Sequence, residues 1–105
     1  MRVVQTATAA RSIDQADTWW RTHRDTVELL TEEFVQAVKV LERAPHIGRR
    51  VVNVGLEGVR VIVLQQTEKL LYYRVLEEED IVELLLLWGT RRRSPPKLRA
   101  PRRRR

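Results

Sequence analysis

The sequence contains no cysteine. Disulfides and thiolate metal sites are therefore excluded, and a reducing compartment is its natural setting. Histidine is scarce: His23 and His46 are the two in the chain, and neither sits among ligand-like spacings of carboxylates. No metal and no cofactor are expected on that basis. Long apolar runs are lacking too. The longest, residues 84–88, is far short of the ~20 residues a membrane span needs. The opening stretch Met1-Arg2-Val3-Val4-Gln5-Thr6 has no apolar core of the kind a secretory leader carries. These absences lead to the expectation of a soluble, cytoplasmic protein with no membrane partner.

What is present fits one domain. The 105 residues, 43% of them hydrophobic, can bury a core, though not one with much to spare. The net charge of +6 is unevenly spread. Nine of the twenty basic residues and none of the fourteen acids lie from Arg91 to Arg105, so the rest of the chain carries about −3. A protein that grips nucleic acid with its body more often carries the positive charge there.

Val3 and Val4 suggest a short first strand. Residues 9–23 read as a helix, with Ile13, Ala16 and Trp20 on one face. Asp25 and Glu28 have capping-box spacing, which predicts a second helix from there. Its apolar stripe is Val27, Leu30, Phe34, Val38 and Leu41, and Pro45 ends it. The two helices form an antiparallel hairpin. Residues 51–54 are an extended piece, and Gly55 and Gly58 bracket a turn. Three strands follow, at 59–64, 70–76 and 81–88, joined by the polar 65–69 loop and the acidic turn Glu77-Glu78-Glu79-Asp80. The last strand is apolar at nearly every position and should be central, covered on both sides. The predicted fold class is α+β: strand, helical hairpin, then a three-strand antiparallel meander (β-α-α-β-β-β). The folded domain is expected to span 1–92. Residues 93–105 form a basic Pro/Arg-rich tail whose one large apolar residue, Leu98, predicts disorder.

Four pieces come in order on these elements. They are Pro45-His46-Ile47-Gly48-Arg49, Val59-Arg60-Val61-Ile62, Leu71-Tyr72-Tyr73-Arg74-Val75, and the 81–88 strand closed by Gly89-Thr90-Arg91. Together they resemble the RelE/ParE superfamily of toxins over residues 3–92, beginning with its P-x-x-G-R signature. The resemblance implies the toxin of a bacterial type II toxin–antitoxin pair, neutralised by a cognate antitoxin. One branch of that superfamily cleaves mRNA on the ribosome. The ParE-like branch inhibits DNA gyrase by binding it.

Metal-free RNA cleavage needs a base, an acid and cations for the phosphate. Arg60 and Arg91 match two of the basic positions of the cleaving branch, and in an RNase they would stabilise the phosphate together with Arg49. However, Leu70 stands where that branch places an arginine, and the chain after Arg91 has no tyrosine or histidine. The reading therefore favours a binding-type inhibitor over an enzyme, with gyrase as target. The alternative is a metal-independent endoribonuclease, and a third reading is a non-toxic basic-tailed nucleic-acid or protein adaptor.

Candidates for target or antitoxin contact are Arg49, Arg50, Arg60, Arg74, Arg91, Arg92 and Trp19. Arg60 suits a phosphate, an antitoxin carboxylate or an ion pair with a nearby glutamate. Arg49 and Arg50 equally fit a solvated turn after a helix. Trp19 and Trp20 are adjacent, so one helix face cannot bury both; Trp20 fits the apolar stripe, leaving Trp19 exposed or covered by a partner or the tail. Trp88 is expected in the core. His46 reads as a surface histidine without an orienting carboxylate. The tail has three readings of equal weight: non-specific nucleic-acid contact, docking on the acidic body, or a solubilising extension.

Overall fold

A short strand, β1 (Arg2–Gln5), leads into a long helix, α1 (Ala7–His23), in the computed structural model, which describes residues 1–101. The second helix, α2 (Leu29–Arg43), follows. Then come β2 (Arg49–Arg50), β3 (Val59–Leu64), β4 (Lys69–Leu76), a 3-10 turn at Glu77–Glu79 and β5 (Ile81–Gly89). The strands lie side by side in the order β1-β5-β4-β3-β2. β3, β4 and β5 form the expected antiparallel meander. β1 closes the far side, running parallel to β5 with Arg2 opposite Ile81 and Gln5 opposite Leu84. The fold is α+β, with both helices on one face. Among the described residues no helix is long and apolar enough to cross a membrane.

Thr6 starts α1. Its hydroxyl accepts from the Ala9 amide at 3.0 Å, an N-cap, and donates to the Leu84 carbonyl at 3.0 Å. Ser12 repeats the stitch nearly two turns later, its hydroxyl accepting from the Leu87 amide at 2.9 Å. Trp20 is buried and Trp19 is 43% exposed, as the stripe on α1 requires.

The predicted capping box at Asp25 and Glu28 does not form. α2 begins at Leu29, and Glu28 makes no side-chain cap. Its carboxylate instead takes two N–H groups of Arg21, at 2.9 and 3.1 Å, while Asp17 takes a third at 2.8 Å. A bidentate charge-assisted pair outcompetes a single cap bond. The α2 stripe is otherwise as predicted: Leu30 and Leu41 are buried, with Phe34 and Val38 packed beside them.

β5 is an interior strand, between β1 and β4, and is covered on both sides, while β4 stands at the middle of the sheet. Val82, Leu84 and Leu87 join Tyr73, Leu71 and Leu64 in the core beneath the helices. Leu85 joins Val54, Val59, Val61 and Tyr72 on the outer face. A bulge makes this possible. Tyr72 pairs with Leu86 and Tyr73 with Leu84, so Leu85 is left over and turns outward.

Two expectations change at the ends of the sheet. The extended piece at 51–54 is not a strand; β2 is the pair Arg49–Arg50, and Val54 beyond it is buried on the outer face. The first part of the tail, through residue 101, lies along the outer face of the sheet. Pro96 and Leu98 are buried, and the Leu98 amide donates to the Val54 carbonyl. One leucine suffices because the outer face already offers an apolar bed, with Leu56, Leu70, Leu86 and Trp88 around it. The remainder of the expected disordered tail, residues 102–105, lies outside the described residues.

Candidate functional site

The loop from α2 to β2 is built on Pro45-His46-Ile47-Gly48-Arg49. Pro45 cannot continue the helix; the Ala44 amide closes its last turn on the Val40 carbonyl, and beyond the proline the Ile47 amide donates back to the Ala44 carbonyl. The chain then drops onto the sheet at Gly48. The Gly48 amide donates to the Tyr73 hydroxyl at 2.8 Å, and a Cβ here would stand 2.5 Å from that oxygen and 2.9 Å from the Val61 carbonyl. Only glycine fits so close an approach. Burial pushes the Tyr73 phenol up from its ordinary value; the Gly48 hydrogen bond and the Arg60 charge work against that shift.

Arg60 locks the same turn from the other side. Its guanidinium donates to the Gly48 carbonyl at 2.8 Å and to the His46 carbonyl at 3.1 Å. The ion pair with a glutamate considered for it is thus replaced by two backbone carbonyls. His46 does have a carboxylate, contrary to expectation: its Nε2 lies 2.7 Å from Glu77, which sits in the 3-10 turn 31 positions away. Both are exposed.

The turn presents three side chains outward. Arg49 and Arg50 are exposed on the edge strand, and Ile47 is 59% exposed. Ile47 forms one wall of a groove of about 260 Å³ between α2 and β3, with Ala37, Val40, Ile62 and Val63. Val63 is 52% exposed. β2 pairs only with Arg60 and Val61, so the β3 edge at Ile62–Leu64 has no neighbouring strand among the described residues. Sequence reasoning missed this groove. Its one signal was Ile47, an apolar residue in an otherwise polar turn.

The other candidates lie elsewhere. Arg74 crosses to Glu83 at 2.7 Å, a largely buried pair on the outer face. Arg91 meets Glu68 at 3.3 Å, exposed, beside the β3–β4 hairpin. Arg92 lies over the Trp88 ring at 3.9 Å, so Trp88 is half-buried beneath a cation rather than in the main core. Trp19 stacks on His23 at 4.4 Å, and Arg24 lies over both tryptophans of α1. Arg49, Arg60 and Arg91 do not converge. Arg60 and the hairpin residue Leu64 are four positions apart on β3, roughly 13 Å, and Arg91 lies beyond that hairpin.

No protein-family profile matches the chain, and no curated protein matches it in sequence. Solved structures do match. A chain of the chromosomal ParDE TA system from P. aeruginosa superposes with a TM-score of 0.68 at 19% identity, covering 85% of this chain and 95% of that one. The chain has the RelE/ParE toxin fold. A chain of the intact E. coli RelBE toxin–antitoxin complex gives 0.59 at 19% identity, covering 87% of this chain and 98% of that one. The isolated E. coli RelE toxin gives 0.58 at 19% identity, covering 87% and 85%. Within the RelE/ParE fold, the P-x-x-G-R turn of this chain is the point where helix hairpin, sheet edge and groove meet.

Proposed function

We propose that this chain is the toxin of a type II toxin–antitoxin pair, that it inhibits growth by binding DNA gyrase, and that a cognate antitoxin neutralises it. The fold supports the first part: the similar solved chains come from ParDE and RelBE toxin–antitoxin systems. The observation that carries binding over RNA cleavage is the engagement of Arg60. Its Nη1 donates to both the His46 and the Gly48 carbonyls, which holds the guanidinium against the turn and gives it a structural role that a phosphate-binding arginine of a nuclease would have to leave. Tyr73 likewise holds Gly48, and Arg74 holds Glu83. Under this reading the outward face of the turn, Ile47, Arg49 and Arg50 beside the α2–β3 groove, meets a protein partner. An apolar anchor flanked by arginines is suited to that role.

The test is inducible expression in a bacterium with pulse labelling of DNA and protein synthesis. DNA synthesis falling first, with purified gyrase inhibited by the purified chain, is the expected result. Protein synthesis falling first, with toxicity lost in the Arg49, Arg60 and Arg91 triple alanine variant, supports the ribosome-dependent endonuclease instead. If induction leaves growth unaffected, the toxin reading itself fails.

A further inference from the structure

The outer face of the sheet is crossed by the chain that leaves β5. Its path is fixed at three points. The Trp88 indole donates to the Ser94 carbonyl at 3.2 Å. Pro96 is buried, and Leu98 is buried with its amide on the Val54 carbonyl. Gly55, with φ of +84°, lets the strap pass: a Cβ there would come within 2.7 Å of the Leu98 carbonyl. Burial alternates along the strap. Pro96 and Leu98 face in, while Lys97 and Arg99 face solvent.

The anchoring is apolar, and this decides what the charges are free to do. Had the basic segment docked on the acidic body, its arginines would be consumed in ion pairs. Instead, of Arg91, Arg92, Arg93, Lys97 and Arg99, Arg91 alone meets a carboxylate among the described residues. The others stand unneutralised on a fixed backbone.

Charge is concentrated further at the root of the strap. Arg92 rests on Trp88, and Arg24 rests on Trp19 and Trp20. The Lys69 ammonium, opposite Gly89 in the β4–β5 ladder, lies near both. Burial pushes Lys69 down from its ordinary value, and the positive charges of Arg92 and Arg24 push it further, with the nearby Glu68 opposing. One carboxylate, which also meets Arg91, does not balance these cations, so a net positive potential is left at the root.

We propose that the strap and its root, Arg24, Lys69, Arg92, Arg93, Lys97 and Arg99, form a ridge that binds the phosphate backbone of nucleic acid. The ridge runs from the end of β5 to Val54, the length of a strand, which for six residues is roughly 20 Å. One nucleic-acid strand carries a charge about every 3.4 Å of duplex axis, so a ridge that long faces several phosphates. An acidic protein partner fits less well. A protein interface needs an apolar centre, and the strap turns its apolar residues, Pro96 and Leu98, inward. The inference is independent of toxicity and target.

The experiment is fluorescence anisotropy with the full chain, using a labelled 20-base-pair DNA duplex and, separately, a single-stranded RNA of equal length, titrated across salt. A duplex of about 20 base pairs, roughly 68 Å long, is longer than the ridge and offers it a full set of phosphates. Substituting Arg93→Gln, Lys97→Gln and Arg99→Gln together is expected to weaken binding at least tenfold and to reduce the salt slope by about 3, one per lost phosphate contact. A chain ending at residue 101 is expected to keep a steep salt slope and lose less affinity than the triple variant. A Leu98→Ala chain, its fold checked by circular dichroism, is expected to bind more weakly although its charge is unchanged. The proposal is overturned if the triple variant binds like the parent, or if removing residues 102–105 abolishes binding. Displacement of both probes by poly-glutamate at equal charge concentration also overturns it, since the ridge would then recognise negative charge rather than nucleic acid. Preference between the two probes tells duplex from single strand.

Discussion

The Gly48 amide donates a hydrogen bond to the Tyr73 hydroxyl at 2.8 Å, joining positions 25 residues apart. It ties the P-x-x-G-R turn to the middle of the sheet and is buried. Replacing Tyr73 with Phe leaves that amide without an acceptor. The expected loss is about 1–3 kcal/mol, read as a lower urea midpoint with an unchanged slope.

Gly48→Ala attacks the same junction sterically. The new methyl meets the Tyr73 ring and the Val61 carbonyl, and the carbonyl cannot yield. A destabilisation of about 1–3 kcal/mol is expected, with partner binding weakened beyond what the loss of folded protein explains. Calorimetry alongside a binding assay separates the two effects.

The tyrosines set an alkaline limit. Burial raises the Tyr73 phenol above its ordinary value of 10.0, and Tyr72 shifts the same way, with Arg49 opposing. As pH rises past 10 the unfolded chain therefore gives up these protons first, and stability falls. Lys69 has the opposite sign. Its lowered folded pKa means that the unfolded state binds more protons, so its contribution improves as pH rises toward 10.5 and is lost as pH falls through the folded value. Urea midpoints between about pH 8 and 11, the range spanning these ordinary values, should fall less steeply for Tyr73→Phe and more steeply for Lys69→Met than for the parent chain.

Glu33 fastens the β3–β4 hairpin to α2. Its carboxylate accepts from the Gln66 amide at 2.9 Å, the Thr67 amide at 3.0 Å and the Thr67 hydroxyl. Thr67 is 3% exposed, so Glu33→Ala strands buried donors. A loss of about 1–3 kcal/mol is expected, with faster hydrogen exchange at the Gln66 and Thr67 amides.

Charging the groove should separate binding from folding. Ile47 and Val63 are more than half exposed, so Ile47→Asp and Val63→Asp remove little buried area. Thermal melts within a few degrees of the parent are expected. Partner binding should drop by about 30-fold or more, as for an interface anchor, measurable by titration against the cognate antitoxin or gyrase.

Much of the fold was legible because its boundaries are chemical. Gly58, the polar 65–69 loop, the four acids at 77–80 and Gly89 delimit three strands, and the α2 stripe persists for four turns. The parallel docking of β1 had no local signal, since four residues do not encode their neighbour. The course of the strap was illegible for a related reason. Leu98 looks insufficient alone, and only the assembled outer face shows where it goes. Among the candidate arginines, Arg60 could not be resolved from sequence because its partners are backbone carbonyls, which carry no residue-type signature. Glu77 beside His46 was equally invisible at 31 positions' remove.

The parallel pairing of β1 with β5 has a temporal consequence. Thr6 bonds Leu84 across 78 positions, and the N-terminal ammonium reaches the Glu42 carbonyl. During synthesis the first strand must wait, its ladder partner still untranslated, until β5 emerges. Helix hairpin and early strands can collapse meanwhile, but β1 has no ladder partner until β5, at Ile81–Gly89, is made. The nascent polypeptide thus stays structurally incomplete, with β1 unpaired, until all three strands of the meander have been translated.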